Sequence, residues 1–385
     1  MRVLLLSPVS GRDIAGGDVA YTEALMARSP AGVEYTSYDV ALENGSLVER
    51  GRRPGHGKMR AVDALIFGAR AIEIALRRSG RVFREPFRYL TADPDAFDLV
   101  HSHIFATRLV DTDLPLVTSS GFPLPVLYED RFHWSHRRVV AAAGIERAMA
   151  RAVGAEVSWI PPRRAAVAMV QSDHYRQHLV SEGADPDRVV VRTLGIEGRP
   201  GAPRTGIPQT IGYVSGNFDG KGGREVLAAF ARLLVERPEA HLVIVGSAPR
   251  ELDPALFPPG SVEWHGVVPR ARVLGELLPR IDVLVLPSRC DSGPPYVILE
   301  ALQQGIPVVT SDLPWIDEGL AGPGVRRVPV DPDEVSRALA DLFCPDTYRD
   351  ASQAAIDLWK ARYSMEILAE QVGETYRAAL RRNRR

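Results

Sequence analysis

Only three of the 47 basic side chains in this sequence are lysines, at positions 58, 221 and 360. One of them closes the run Gly212-Tyr213-Val214-Ser215-Gly216-Asn217-Phe218-Asp219-Gly220-Lys221-Gly222-Gly223. A short apolar strand there gives way to a loop of small residues, and Lys221 stands where a helix would begin. A compact ammonium beside the unsatisfied N–H groups of a helix amino terminus suits a diphosphate. Ser215, Gly216 and Asn217 would line the same loop. A solvated lysine on a turn is the plain alternative. The scarcity of lysine, which fits the coding bias of a GC-rich bacterial genome, makes the phosphate reading the stronger one.

A second stretch runs from Val283 to Ser311. Strand Val283-Leu284-Val285-Leu286 leads into the loop Pro287-Ser288-Arg289-Cys290-Asp291-Ser292-Gly293-Pro294, then a helix, then strand Val308-Val309-Thr310-Ser311. Pro295 suits the first helical position, which leaves the N–H groups of Tyr296 and Val297 free to meet a ligand. Glu300 interrupts an otherwise apolar run, a place that a purely structural carboxylate avoids. There it can accept two hydroxyl hydrogen bonds, as a ribose diol requires.

Weaker candidates surround these. The loop Ser10 to Asp18 holds Gly16 and Gly17 before a helix and suits an anion, or is a plain turn. His101 and His103 share one side of a strand; with no third ligand in view, packing or contact with an acceptor outweighs metal binding. Trp264 and His265 end a strand, as a base-binding pair or as core. Between Gly51 and Leu90 ten basic residues meet three acids around the apolar stretch Ala61 to Leu76. That region reads either as surface helices with solvated charges or as a weak peripheral contact with anionic lipid.

The elements that must carry these residues are legible as short, continuously apolar runs, which mark strands buried on both faces of a parallel sheet. They are Val3–Leu6, Leu99–His103, Leu116–Thr118, Val167–Gln171, Val189–Arg192, Ile211–Ser215, Leu242–Gly246, Val283–Pro287 and Val308–Ser311. Helical patterns separate them, one opening on Asp331 as N-cap with Pro332 and Glu334 behind it. Gly198 to Pro208 carries three glycines and three prolines and reads as an interdomain connection. The length of 385 residues suits two domains, set here at 1–198 and 209–363, with 364–385 returning to the first. A net charge of -1 gives no reason to expect nucleic acid, and two distant cysteines exclude a disulfide framework. No run reaches the length of a membrane span, and the amino terminus lacks the form of a signal peptide, so a cytoplasmic location is expected.

Taken together, Gly16-Gly17, Phe97 to His103, Lys221-Gly222, Leu242 to Gly246, Val283 to Ser288 and above all Gly293 to Glu300 with Gly305-Ile306-Pro307 resemble a known family. It is the retaining family-four group of nucleotide-sugar glycosyltransferases. The resemblance spans nearly the whole chain and implies the GT-B fold, α/β with two Rossmann-like domains facing across a cleft and a carboxy-terminal helix packed back on the first. It implies that the second domain binds a UDP-, GDP- or dTDP-sugar and the first a glycan, lipid-linked or small-molecule acceptor. Lys221 would sit on the diphosphate, Glu300 on the ribose, and Gly16-Gly17 near the distal phosphate. No cofactor or metal is implied, because the leaving phosphate itself assists the incoming hydroxyl.

Three positions depart from the family pattern. Its first acid falls on Ser292, with Asp291 adjacent; its arginine before the lysine falls on Ser215 or Gly216; its first-domain histidine falls on Ser120. One missing cation weakens a diphosphate clamp by about 1.5–3 kcal/mol, the range of a charged hydrogen bond. An epimerase or inverting transferase of the same fold, or a transferase-like binding protein, are the alternatives that these departures leave open.

Overall fold

The computed structural model describes every residue except 8–16, 52–60, 84–87, 105–106, 111, 131, 158–164, 248–256, 292 and 384–385. Gly16, Ser292, Lys58 and most of the loop Ser10 to Asp18 therefore lie outside the described residues. The chain divides into two compact units, Met1–Arg192 with Ala369–Arg385, and Thr193–Leu368. Among the described residues, no helix is long and apolar enough to cross a membrane.

Unit 1 holds β1 (Arg2–Leu6), β2 (Glu34–Ser37), β3 (Leu47–Glu49), β4 (Arg88–Ala92), β5 (Leu99–His103), β6 (Thr107–Leu109), β7 (Leu116–Ser120), β8 (Glu156–Val157), β9 (Ala165–Val170) and β10 (Val189–Val191). A six-stranded sheet runs β10-β9-β7-β5-β1-β2, every pair parallel. A second sheet, β3-β4-β6-β8, mixes parallel and antiparallel pairs and has no counterpart in the sequence expectation. β5 and β7 are buried at every position, as continuously apolar runs between helical layers must be.

Unit 2 is the more regular half. Its strands are β11 (Thr210–Ser215), β12 (His241–Gly246), β13 (Val262–Trp264), β14 (Val283–Leu286), β15 (Val308–Ser311) and β16 (Val325–Val328). They form one parallel sheet in the order β13-β12-β11-β14-β15-β16. Chain order runs outward in both directions from β11 and β14, so the loops after these two strands part and leave a crevice at their carboxyl ends. Helix Gly223–Glu236 covers one face through Val226, Ala229, Phe230 and Leu233. Fully burying a side chain such as Val226, Phe230 or Leu233 contributes about 1.5–3 kcal/mol. The expected cap holds: Asp331 accepts from the N–H groups of Asp333 and Glu334 at the start of helix Pro332–Leu342. The glycine- and proline-rich segment 198–208 has no regular element and belongs to unit 2, where Arg204 donates to the carbonyls of Pro279 and Ile281.

The interior of unit 1 carries a polar thread. His101 Nδ1 lies 2.6 Å from the hydroxyl of Tyr376, which in turn lies 3.0 Å from that of Tyr35. His101 Nε2 meets Ser119 Oγ at 2.8 Å, and the same oxygen meets His103 Nδ1 at 2.7 Å. A neutral imidazole has one N–H and a hydroxyl has one proton, so His101 donates on one side and accepts on the other, and the donor direction propagates along the thread. Tyr21 stacks on His103 with ring centroids 4.3 Å apart. Through Tyr376 the thread fixes helix Met365–Asn383 to the sheet of unit 1.

Burial first, and then the neighbouring His103 ring, hold the His101 imidazole well below its usual range. The unfolded chain titrates near the ordinary value of about 6.5, so below that pH it binds a proton that the folded ring refuses. Stability contributed by this site is therefore complete above about pH 6.5 and is lost as the pH falls, by at most about 1.4 kcal/mol per unit. Urea unfolding midpoints measured between about pH 7.5 and 5 are expected to decline, and His101→Gln, which keeps a hydrogen-bonding side chain without a titrating group, is expected to flatten that decline.

Candidate functional site

Lys221 is placed by a loop that folds on itself. Ser215 Oγ accepts from the N–H of Asn217 at 3.0 Å, Asn217 Oδ1 accepts from the N–H of Gly220 at 3.2 Å, and the Asn217 carbonyl accepts from the N–H of Lys221 at 3.0 Å. Gly222 then takes φ +72 as the N-cap of helix Gly223–Glu236. A Cβ at that position would collide with the carbonyl oxygen of Pro287, so only glycine lets this loop approach the loop after β14 so closely.

That approach brings two candidates together. Lys221 Nζ lies 2.6 Å from Asp291 Oδ2, and the same carboxylate oxygen accepts from Ser288 Oγ at 2.8 Å. Ser288 is held by its own carbonyl, which accepts from Ser311 Oγ at 2.6 Å. The ammonium and the buried carboxylate thus meet across the reversal point of the sheet. Asp291 is the residue next to the acid position of the family pattern; Ser292 at that position lies outside the described residues.

Glu300 sits within helix Tyr296–Gln303 and is buried, as its apolar neighbours imply. Arg270 reaches it with both Nε, at 3.0 Å from Oε1, and a terminal guanidinium nitrogen. A second arginine, Arg289, pairs with Glu225, and its backbone N–H donates to the Gly220 carbonyl at 3.0 Å. Neither arginine stands out in the sequence. Arg289 belongs to the loop after β14, and Arg270 opens a helical turn after Pro269; each finds its acid 64 or 30 residues away, a separation no local pattern reports.

The remaining candidates fall into place around these pairs or away from them. Pro295 occupies the cap rather than the first helical position, with Tyr296 and Val297 opening the helix behind it. Gly293 has φ +60 and donates to the Trp315 carbonyl at 3.0 Å. Ser215 ends β11, and Gly216 accepts from Ser247 Oγ at 2.6 Å, which ties the end of β11 to the loop after β12. Trp264 is exposed, so the core reading fails; its indole N–H donates to the Gly246 carbonyl at 3.2 Å. His265 Nε2 lies 2.9 Å from Glu263. In unit 1, Gly17 begins helix Gly17–Ala27, His103 belongs to the polar thread, and Ser120 Oγ meets the Tyr175 hydroxyl at 2.9 Å. Among the described residues, no group of three His, Cys, Asp or Glu side chains stands where it could hold a metal ion.

Around the crevice of unit 2 the described residues therefore assemble an ammonium and two guanidinium groups, each matched to a carboxylate, beside a helix amino terminus. Such an arrangement can take a phosphate on its cations and hydroxyls on its carboxylates.

Residues 208–344 match the sequence profile of a family described as glycosyl transferases group 1. The matched segment contains Lys221, Asp291, Glu300, Arg270 and Arg289. A search of curated proteins by sequence returns no match. Among solved structures, the chain is similar to Anabaena HepE in complex with UDP and glucose, at 14% identity and TM-score 0.59 over 98% of this chain and 99% of that one. It is similar to a glycosyltransferase from Rickettsia africae at 13% identity and TM-score 0.55, covering 98% of each chain. It is also similar to WaaG, a glycosyltransferase involved in lipopolysaccharide biosynthesis, at 14% identity and TM-score 0.58 over 97% of this chain and 98% of that one. With its two parallel α/β sheets and these neighbours, the chain has the GT-B fold, and its segment 208–344 carries the match to glycosyl transferases group 1.

Proposed function

We propose that this protein is a glycosyltransferase that moves a sugar from a nucleoside diphosphate to an acceptor hydroxyl with retention of anomeric configuration. Residues 209–363 take the donor, and residues 1–198 with 364–385 take the acceptor. The observation that carries this reading is the meeting of Lys221 with Asp291 at the reversal point of the unit 2 sheet, inside the segment that matches group 1 glycosyl transferases. The solved complexes of HepE with UDP and with UDP-glucose support a uridine nucleotide as the first donor to try.

In this reading Lys221 moves from Asp291 to the diphosphate, and the Ser288 hydroxyl stays on Asp291 when the ammonium leaves it. Glu300 accepts from the ribose hydroxyls while Arg270 holds it in orientation. Arg289, on the loop after β14, takes the part of the arginine that the family pattern carries before the lysine. The bond from the anomeric carbon to the diphosphate oxygen breaks, the acceptor oxygen bonds to that carbon on the same face, and the acceptor proton passes to the departing phosphate oxygen. No protein nucleophile enters. The side chains position the two substrates and stabilise the charge of the leaving group, which together supply most of the rate in a transfer without covalent catalysis.

A thermal-shift series with UDP, GDP, dTDP and ADP tests the donor site: one nucleotide held at about 100 times its dissociation constant stabilises by about 2.7 kcal/mol. Absence of a shift with all four, and with their sugars, contradicts the reading. Lys221→Ala is expected to weaken the binding of the responding nucleotide by about tenfold or more, the loss of one charge-assisted hydrogen bond, as read by calorimetry. Proton NMR of the first transfer product is expected to show the anomeric configuration of the donor; an inverted product rules out retention. Transfer is expected to persist with EDTA present, because cationic side chains stand where a metal would otherwise neutralise the diphosphate.

A further inference from the structure

Helix Ala61–Arg78 buries Ile66 together with its carboxylates and leaves four large apolar side chains outward. Its carboxylates turn into unit 1. Asp63 takes Arg50 in a two-pronged contact, Nε to Oδ1 at 2.7 Å and the terminal nitrogen to Oδ2 at 3.2 Å. Arg70 donates to Glu49 at 3.4 Å and to the Arg50 carbonyl at 3.3 Å. Glu73, nearly fully buried, takes Arg77, lies 3.5 Å from Arg108 and accepts from the Tyr89 hydroxyl at 3.4 Å. Of the basic run noted in the sequence, Arg78 and Arg81 are exposed, while Arg70 and Arg77 turn to acids of unit 1.

The opposite face holds Leu65, Phe67, Ile72 and Ile74, exposed by 62%, 45%, 58% and 49%. Gly68 and alanines fill the space between them, and among the described residues of the helix Arg78 is the one charge on the exposed arc. Turning the helix to bury this face would strip Arg50 of Asp63 and take buried Glu73 from Arg77, Tyr89 and Arg108, so these contacts hold the apolar side outward. A contiguous apolar face of this kind marks an interaction surface.

Its charge identifies the partner. Of the three acids between Gly51 and Leu90, Asp63 and Glu73 are already engaged inward, while ten basic residues share the segment. Arg78 and Arg81 are exposed at the carboxyl end of the helix, and Arg138, stacked on Trp134, donates to the Gly80 carbonyl at 2.8 Å beside them. In sequence, Arg52, Arg53, Lys58 and Arg60 precede the other end. A second copy laid parallel on this face would set Arg78 and Arg81 against their own counterparts.

We propose that this face docks on an anionic lipid bilayer, the helix lying in the plane of the surface with Leu65, Phe67, Ile72 and Ile74 at the acyl boundary and the arginines on headgroup phosphates. Apolar area supplies the anchoring, and the arginines supply the preference for anionic headgroups.

The test is flotation of the whole chain with vesicles of phosphatidylglycerol and phosphatidylcholine, and with phosphatidylcholine alone. Binding is expected with the anionic vesicles, weakened at high salt, and reduced at least tenfold in partition coefficient by Leu65→Glu with Ile72→Glu. Arg78→Ala with Arg81→Ala is expected to lower binding to anionic vesicles and leave the phosphatidylcholine result unchanged. Circular dichroism melting of each variant confirms that it is folded, as substitutions at exposed positions should be. Failure to float with anionic vesicles, or undiminished binding of the folded Leu65→Glu, Ile72→Glu variant, overturns the proposal. A dimer in light scattering that this variant dissociates, without vesicle binding, assigns the face to a second copy and likewise overturns it. None of these readouts depends on nucleotide binding, so the donor-site reading stands or falls separately.

Discussion

The 2.6 Å contact between Lys221 and Asp291 joins the two loops that part at the reversal point of the unit 2 sheet, and the rest of the site depends on it. It exists because Gly222 has no side chain: at φ +72 and against the carbonyl of Pro287, any other residue would push the loops apart. The pair also keeps the site in order without a ligand. Asp291 is buried, and losing the ammonium with nothing in its place would leave it leaning on the Ser288 hydroxyl, a cost of about 3–5 kcal/mol for a buried carboxylate stripped of its cation. A diphosphate offers Lys221 more negative charge than a single carboxylate does, which favours the exchange on which the proposed function rests. Arg270 on Glu300 and Arg289 on Glu225 repeat the same device, a carboxylate below the surface paired to a cation nearer solvent.

What the sequence reveals and what it hides divide along a physical line. Strands such as β5, β7, β14 and β15 are legible because both of their faces are buried, which forces unbroken apolar runs. Of the strands that are not legible, β2 (Glu-Tyr-Thr-Ser) and β16 (Val-Arg-Arg-Val) stand at sheet edges, where one side has no neighbour and polar residues guard against stray pairing, while β3, β4, β6 and β8 form the mixed sheet of unit 1 from short strands that carry no unbroken apolar run. Lys221 stands out because lysine is rare here. Arg270 and Arg289 do not, because each is one arginine among many and its partner lies far along the chain. The same non-locality conceals the orientation of helix Ala61–Arg78: its periodicity is plain, but which face turns inward is decided by Arg50 and Arg108 on other elements.

Unit 1 shows how much of this chain is organised by buried polar groups. The thread from Tyr35 through Tyr376, His101 and Ser119 to His103 sits among apolar strands and links its members one to the next, so no single member can change without leaving a neighbour short. The cluster of Glu73, Arg108 and Glu146 does the same around a buried guanidinium, with burial pushing the Glu146 carboxyl up to about 7. In this chain such interiors fix both the carboxy-terminal helix and the outward apolar face, at the cost of taking charges out of water.

The most direct measurement of the central claim is a crystal structure of the chain soaked with the nucleotide that binds most tightly. The account predicts pyrophosphate density against Lys221, with its contact to Asp291 broken or shared, and ribose hydroxyls within hydrogen-bonding distance of Glu300. A nucleotide found elsewhere on the molecule, with the Lys221–Asp291 contact undisturbed, would contradict it.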